Sequence, residues 1–368
     1  MKQKIRVALY PIFADTLPVA RYLLKYRSNI EVVELISPLG SCVCGKDAST
    51  LDNQESLGKC INSCFDTNPD SWDELWLLQH ETLGLTEEST FRSIYEPMVK
   101  IANGKNKKVC MCPSVMDSTV KVDTEYETEQ QNRGVIKKFG SIKPIKTFSI
   151  FIGGVIAEAN AFEVFLNLYG ELEKRVRVAA FSSSPNASTC NAFGLHDLLY
   201  HTSYTEEQKV FAIDRRIAHI SKERKADIIL IQLDEALMPF SDTLTSGFGI
   251  IPYIVSQTIE PDFCICCLPF GYDNPSFLQE FDHGLESKFG ILTDQWHLSN
   301  VMLDFTTMTS VRDAGAIHLP MYMVKNEIKI ARNKGLCVCN AMIPENLDEL
   351  VSIILSSYHE SQRITSIL

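Results

Sequence analysis

No stretch of this 368-residue chain approaches the ~20 consecutive apolar residues of a membrane helix, so a membrane span is not expected. The opening MKQKIRVALYPIF is basic, but its apolar run is broken by Pro11 and followed by Asp15, short of a secretory signal. Positive charge is in deficit. Lys and Arg number 35 against 46 Asp and Glu, a formal net charge of −11. A surface of that sign repels phosphate backbones and anionic lipid, which argues against nucleic acid or a membrane as partner. The short basic runs at Lys105–Lys108 and Lys137–Lys138 read as solvated loop charges. No G-x-S-x-G elbow, H-E-x-x-H helix or G-x-G-x-x-G dinucleotide turn occurs, and no internal repeat. The chain is expected to be cytoplasmic, and whether it carries a catalytic step stays undecided.

What is present is the composition of an ordinary globular protein, 45% hydrophobic and 22% charged. Its length exceeds the roughly 100–200 residues that one core usually serves, so two domains are expected. IRVALYPI is a strand, Leu17, Ala20, Leu23 and Leu24 have helical spacing, and EVVELISP and DELWLLQ return to strand. Phe91 to Ala102 predicts a helix ending at Asn103-Gly104, with Pro97 imposing a kink or a late start near Glu96. KKVCMCP is a further strand. Strand–helix alternation implies parallel strands, hence a Rossmann-like or flavodoxin-like domain over residues 1–112. Residues 113–145 are polar, charged and glycine-containing, and read as a linker. The pattern restarts over 146–368. KTFSIFIGG, VRVAAFS, ADIILIQL and the region from Asp262 to Pro269 are strands, and Val210, Ile213, Ile217 and Ile220 mark a long amphipathic helix. A closing helix carries Leu347, Leu350, Val351, Ile354 and Tyr358. The expected fold class is α/β, with two Rossmann-like parallel-sheet domains, the second a degenerate P-loop-like fold.

The order strand, Gly153, Gly154, helix is the setting of a phosphate loop, which needs G-x-x-x-x-G-K-[ST] so that lysine reaches the β and γ phosphates and the hydroxyl meets magnesium. Counted from Gly153 the closing positions are Glu158, Ala159 and Asn160; counted from Gly154 they are Ala159, Asn160 and Ala161. Neither register supplies lysine or a hydroxyl. Glu158 itself could satisfy the helix dipole where an anion would rest. Against this, the apolar strand ending in Asp234 and Glu235 has the form of a magnesium-handling strand. No cofactor is favoured, and a nucleotide with magnesium is the alternative.

Twelve cysteines in such a chain are expected to be thiols. Four C-x-C pairs stand out: Cys42 and Cys44, Cys110 and Cys112, Cys264 and Cys266, Cys337 and Cys339. Small buried hydrophobes are the plain reading. A metal site from Cys42, Cys44, Cys110 and Cys112 is the sharper one, although zinc and cluster loops favour C-x2-C spacing. Polar residues near strand ends, where parallel sheets bind ligands, include His196 in FGLHDL, Asp273 and Asn274 in PFGYDNP, and Asn300 in HLSNV. Each also suits a cap or turn.

Several segments occur here in one order: SPLGSCVCGKDAS, NAFEVFLNLY after the glycine turn, FGLHDL, ADIILIQLDEALMPFSDTLTSGFGIIPYIVSQTIEPD, DNPSFLQEF, and ESKFGI before HLSNVMLDF. Together they resemble the peptide maturation system proteins of natural-product cassettes, of the radical SAM-associated bacteriocin type, in anaerobic Gram-positive bacteria. The resemblance implies an accessory protein that binds a ribosomally made precursor peptide or its radical SAM modifying enzyme. It brings no assigned catalytic residues, and Asp234, Glu235 and Ala236 stand where the family pattern is glycine-rich. The competing expectations are a diverged nucleotide-dependent ligase or kinase-like enzyme acting on the peptide, and a thiol-metal protein.

Overall fold

The computed structural model describes residues 4–80, 91–111, 142, 145–307 and 315–367. The first sheet takes β1 (Ile5–Tyr10), β2 (Ile30–Ser37), β3 (Ile61–Ser63), β4 (Glu74–Leu77) and β5 (Lys108–Met111) in the order β3-β2-β1-β4-β5. Every pairing is parallel. The chain reverses its winding at β1/β4, the switch point at which such sheets open a crevice beyond the strands' carboxyl ends. Helix α1 (Leu17–Tyr26) follows β1, and α2 (Glu96–Gly104) precedes β5. Pro97 sits in the first turn of α2, where its missing N–H leaves no bond unmade, and a π-helical turn over Phe91–Tyr95 runs directly into that helix.

The second sheet begins at β6 (Phe148–Gly154) and α3 (Ala161–Leu172), then β7 (Val178–Ser182), β8 (Phe193–Gly194), α4 (His196–Leu199) and α5 (Glu206–Arg224). It continues through β9 (Ile228–Ala236), α6 (Ile250–Ser256), β10 (Phe263–Leu268), α7 (Pro275–Phe289) and β11 (Gln295–Leu298). An antiparallel hairpin, β12 (Val301–Asp304) with β13 (Gly315–His318), precedes α8 (Met321–Asn333), β14 (Val338–Cys339) and α9 (Pro344–Ile367). The parallel order is β14-β11-β10-β6-β9-β7-β8. β6 is buried along its whole length between β9 and β10, in keeping with a sequence that is apolar but for Ser149. The expected linker falls almost wholly outside the described residues.

The two sheets share a core. Helices α1 and α3 pack together, and apolar residues of β1, α1, β6, α3 and α9 form one buried cluster. Tyr22 stacks on Tyr169 with ring centres 6.1 Å apart, and the Arg27 guanidinium lies over both rings. Tyr26 fills the notch at Gly170, where an added Cβ would fall 2.6 Å from the ring. A continuous apolar interface of this kind fixes one sheet against the other.

One polar cluster is buried in that interface. Arg21 of α1 donates to both oxygens of Asp52, at 2.7 and 2.8 Å. Gln54 donates to Glu163 of α3 at 2.7 Å, and the guanidinium approaches Glu163 to 3.9 Å. Burial, and then the neighbouring Asp52 charge, push the Glu163 carboxyl up to about 7, against the pull of Arg21.

The cysteines of β10 and β14 behave as small hydrophobes. Cys264, Cys266, Cys267 and Cys339 are all buried. Burial raises the Cys267 thiol, and brings that of Cys339 up to about 12.

Candidate functional site

The glycine turn after β6 is filled by its own residues. Val155, Ile156 and Ala159 are fully buried. The Val155 N–H donates to the Cys267 carbonyl at 2.8 Å, and that of Ala159 to Ile156 at 3.4 Å. A Cβ at Gly154 would lie 2.0 Å from the Ile156 carbonyl oxygen, and one at Gly153 would lie 2.5 Å from the Leu237 side chain. Gly154 is therefore required by the backbone packed against it, whereas at Gly153 it is the Leu237 side chain that would have to shift. Asn160, in the left-handed conformation at φ 64°, precedes α3 and donates to Glu163 at 3.3 Å. Its Oδ1 is buried without a hydrogen-bond partner among the described residues. Glu158 is partly exposed in the same turn. A triphosphate needs an open ring of N–H donors and an ammonium group. This turn is packed with aliphatic side chains, no lysine follows, and Glu163 in the first turn of α3 is buried against Arg21 and Gln54.

A different site lies where the carboxyl ends of the two sheets meet. At the switch point of the first sheet, His80 beyond β4 places Nδ1 2.6 Å from Asp15 Oδ2, beyond β1, and its ring stacks on Phe13 at 4.2 Å. The Asp15 carboxylate thereby sets the orientation of the imidazole. The adjoining Gln79 backbone makes two hydrogen bonds of 2.8 Å with the Asn186 side-chain amide, tying this end to the loop after β7. That loop supports Asp234 at the end of β9. The Asp234 N–H donates to Ser183 Oγ at 2.7 Å, and Gln232 Nε2 donates to Asp234 Oδ1 at 2.7 Å. Ser182 fixes the Gln232 amide from beneath by a short hydrogen bond. Glu235 accepts from the Tyr200 hydroxyl at 3.0 Å, and the His196 ring lies 4.5 Å from Tyr200. His196 Nδ1 donates to the Ser183 carbonyl at 3.2 Å, and burial holds the imidazole below its ordinary pKa.

Enclosure raises the Asp234 carboxyl to about 7, with the negative charges of Glu235 and of Asp15 adding to it and the Gln232 hydrogen bond opposing. A carboxyl in that range exchanges its proton near neutral pH, so it can act as acid or base, or lose its proton to solvent when a cation arrives beside it. Among the described residues no group of three or more His, Cys, Asp or Glu side chains is spaced to hold a metal ion. Cys42 is exposed, Cys44 is partly exposed, Cys110 donates to Glu74, and Cys112 lies outside the described residues.

Of the positions singled out in the sequence, the structure brings His196, Asp234 and Glu235 together. Gly153, Gly154, Glu158 and Asn160 belong to the neighbouring turn. The other three serve structure elsewhere. Asn274 caps α7 by accepting from the Phe277 N–H at 2.9 Å. Asn300 donates to the carbonyls of Asp52 at 2.6 Å and Leu319 at 3.0 Å. Asp273 is buried beside Glu327, whose carboxyl is raised by burial and then by the Asp273 charge. Sequence reading missed Asp15, His80, Ser183, Gln232 and Tyr200. The rule that ligands bind beyond strand ends, applied to β1 and β4 as it was to the second sheet, points to Asp15 and His80.

No protein-family model matches the chain, and no curated protein matches its sequence. The fold is similar to that of a DUF1611 family protein from Anabaena variabilis, with a TM-score of 0.56 at 10% identity, covering 96% of this chain and 100% of that one. Smaller overlaps occur with the kinase domain of Escherichia coli tyrosine kinase ETK, at 10% identity and a TM-score of 0.29, covering 46% of this chain and 73% of that one. A GTPase from Pyrococcus abyssi overlaps at 13% identity and a TM-score of 0.27, covering 42% and 68% respectively. The first defines the class, a two-sheet α/β protein alike along its whole length. At such identity the likeness is one of fold alone.

Proposed function

We propose that this protein is an accessory factor in the maturation of a ribosomally synthesised peptide, and that it holds a basic group of the precursor between its two sheets. The observation that carries this reading is the convergence of Asp15, Asp234 and Glu235 at facing strand ends, with Asp234 kept near neutrality by its surroundings. A lysine, arginine or amino terminus entering there relieves the repulsion among the carboxylates and favours loss of the Asp234 proton. The ordered segments resembling peptide maturation system proteins support the precursor peptide as ligand and the radical SAM enzyme as partner. The packed glycine turn weighs against the competing reading, a nucleotide-dependent enzyme using Asp234 and Glu235 with magnesium.

The test is anaerobic calorimetry with a candidate precursor peptide, alone and with a candidate radical SAM enzyme, each chosen from the genes neighbouring this one. Saturable binding is expected, weakened about tenfold or more in Asp234→Asn at pH 8, where the lost carboxylate is charged. Absence of association with either component contradicts the reading.

A further inference from the structure

Between β9 and α6 the backbone makes a turn of left-handed helix. Ser246, Gly247, Phe248 and Gly249 have φ of 44°, 70°, 58° and 66°. The backbone requires glycine at Gly249, where a Cβ would lie 2.2 Å from the Leu237 carbonyl oxygen, and the positive φ favours it at Gly247, where a Cβ would lie 2.7 Å from Glu235 Oε2. Phe248 has no such reason. Its Cβ disfavours a left-handed backbone, and its side chain recovers little by burial, since the residue is 57% exposed. The conformation is held from outside. The Phe248 N–H donates to Thr245 at 2.8 Å, and its carbonyl accepts from Lys288 Nζ at 2.5 Å. Ile250 and Tyr253 follow, i and i+3 on α6 and so on one face, and both are exposed. A strained aromatic residue thus follows directly on the glycine that lies against the Glu235 carboxylate, and the exposed apolar face of α6 begins two residues further on.

We propose that Phe248, with Ile250 and Tyr253, forms an apolar subsite beside Glu235, and that its occupant is a peptide in which a bulky apolar residue neighbours a basic one. This rests on reading the cleft as a site for a cation. Charge complementarity selects the occupant. The basic side chain pairs with Glu235 and Asp234, which repel an acidic peptide, while the cation at the turn, Lys288, is engaged by the Phe248 carbonyl; the next side chain is then within reach of the Phe248 ring. Phe248 is on this account a specificity-determining residue, and the strained turn is what presents it.

The experiment compares acetylated peptides of sequence glycine-lysine-leucine-glycine, glycine-lysine-glycine-glycine and glycine-glutamate-leucine-glycine on the full chain and on Phe248→Gly. The wild type is expected to bind the lysine-leucine peptide roughly tenfold more tightly than the lysine-glycine peptide, through burial of the leucine, and to ignore the glutamate peptide. Phe248→Gly is expected to abolish that preference while raising Tm, because glycine is at ease where phenylalanine is strained. A merely structural phenylalanine would lower Tm instead. Equal affinities in the wild type, a leucine preference that survives in Phe248→Gly, or a lowered Tm each overturn the subsite and leave the cation site standing. If no lysine peptide binds, the cation site itself is wrong and the subsite goes with it.

Discussion

Gly154→Ala is expected to destabilise the protein by about 3 kcal/mol or more, enough to lower its Tm sharply or to leave it insoluble. The added methyl would meet the Ile156 carbonyl at 2.0 Å, and backbone cannot rotate away as a side chain can. The turn would have to open, breaking the bond from the Leu237 N–H to the Gly154 carbonyl at 2.9 Å and displacing Val155 and Ile156 from the core. Gly153→Ala meets only the end of Leu237, so its cost should be smaller and should shrink further when combined with Leu237→Ala. Urea denaturation of the two single variants and the double variant measures this coupling. Equal and small effects at both glycines would contradict the packed turn, and with it the reason for setting aside a phosphate site.

Arg21→Met should cost about 3–5 kcal/mol, because it leaves Asp52 and Glu163 buried with no cation between them while keeping most of the arginine stem. The loss should depend on pH. The folded-state pKa of Glu163 is raised to about 7, so its contribution to stability is complete below the ordinary carboxylate range and disappears as pH rises through about 7. The variant is therefore expected to be hurt more at pH 8.5, where Glu163 is ionised, than at pH 5.5, where it can hold its proton. Urea midpoints at the two pH values check both the size and the sign. A loss independent of pH would mean that Glu163 is ionised throughout.

The fold was largely legible because its strongest signals are local. ADIILIQL fits a central parallel strand and KTFSIFIGG a strand ending in glycines, and the β9 and β6 they form pair along their length. Short edge elements carried too little pattern to be seen: β3 has three residues, β8 and β14 two each. The hairpin of β12 and β13 exposes Met302 and Ile317, so its alternation runs against a buried-face pattern. The site was half legible. Asp234 and Glu235 announce themselves at the end of an apolar strand. Asp15 and His80 lie 65 residues apart and meet only because β1 and β4 are neighbours, which order along the chain does not reveal. The deleted phosphate-loop lysine was visible, but the aliphatic filling of the turn was not, since Val155, Ile156 and Ala159 are as compatible with a solvent-facing loop as with a buried one. Nor does TSGFG spell out a left-handed turn, although its two glycines permit one.

The most direct test of the cleft counts protons. Trilysine amide is titrated into the protein at pH 6 in two buffers of different ionisation heat, with magnesium-ATP titrated in parallel. Saturable binding of the peptide with release of close to one proton, abolished in Asp234→Asn, alongside no heat from the nucleotide, is the predicted result. Saturable nucleotide binding that vanishes in Asp234→Asn, with the lysine peptide silent, would contradict it.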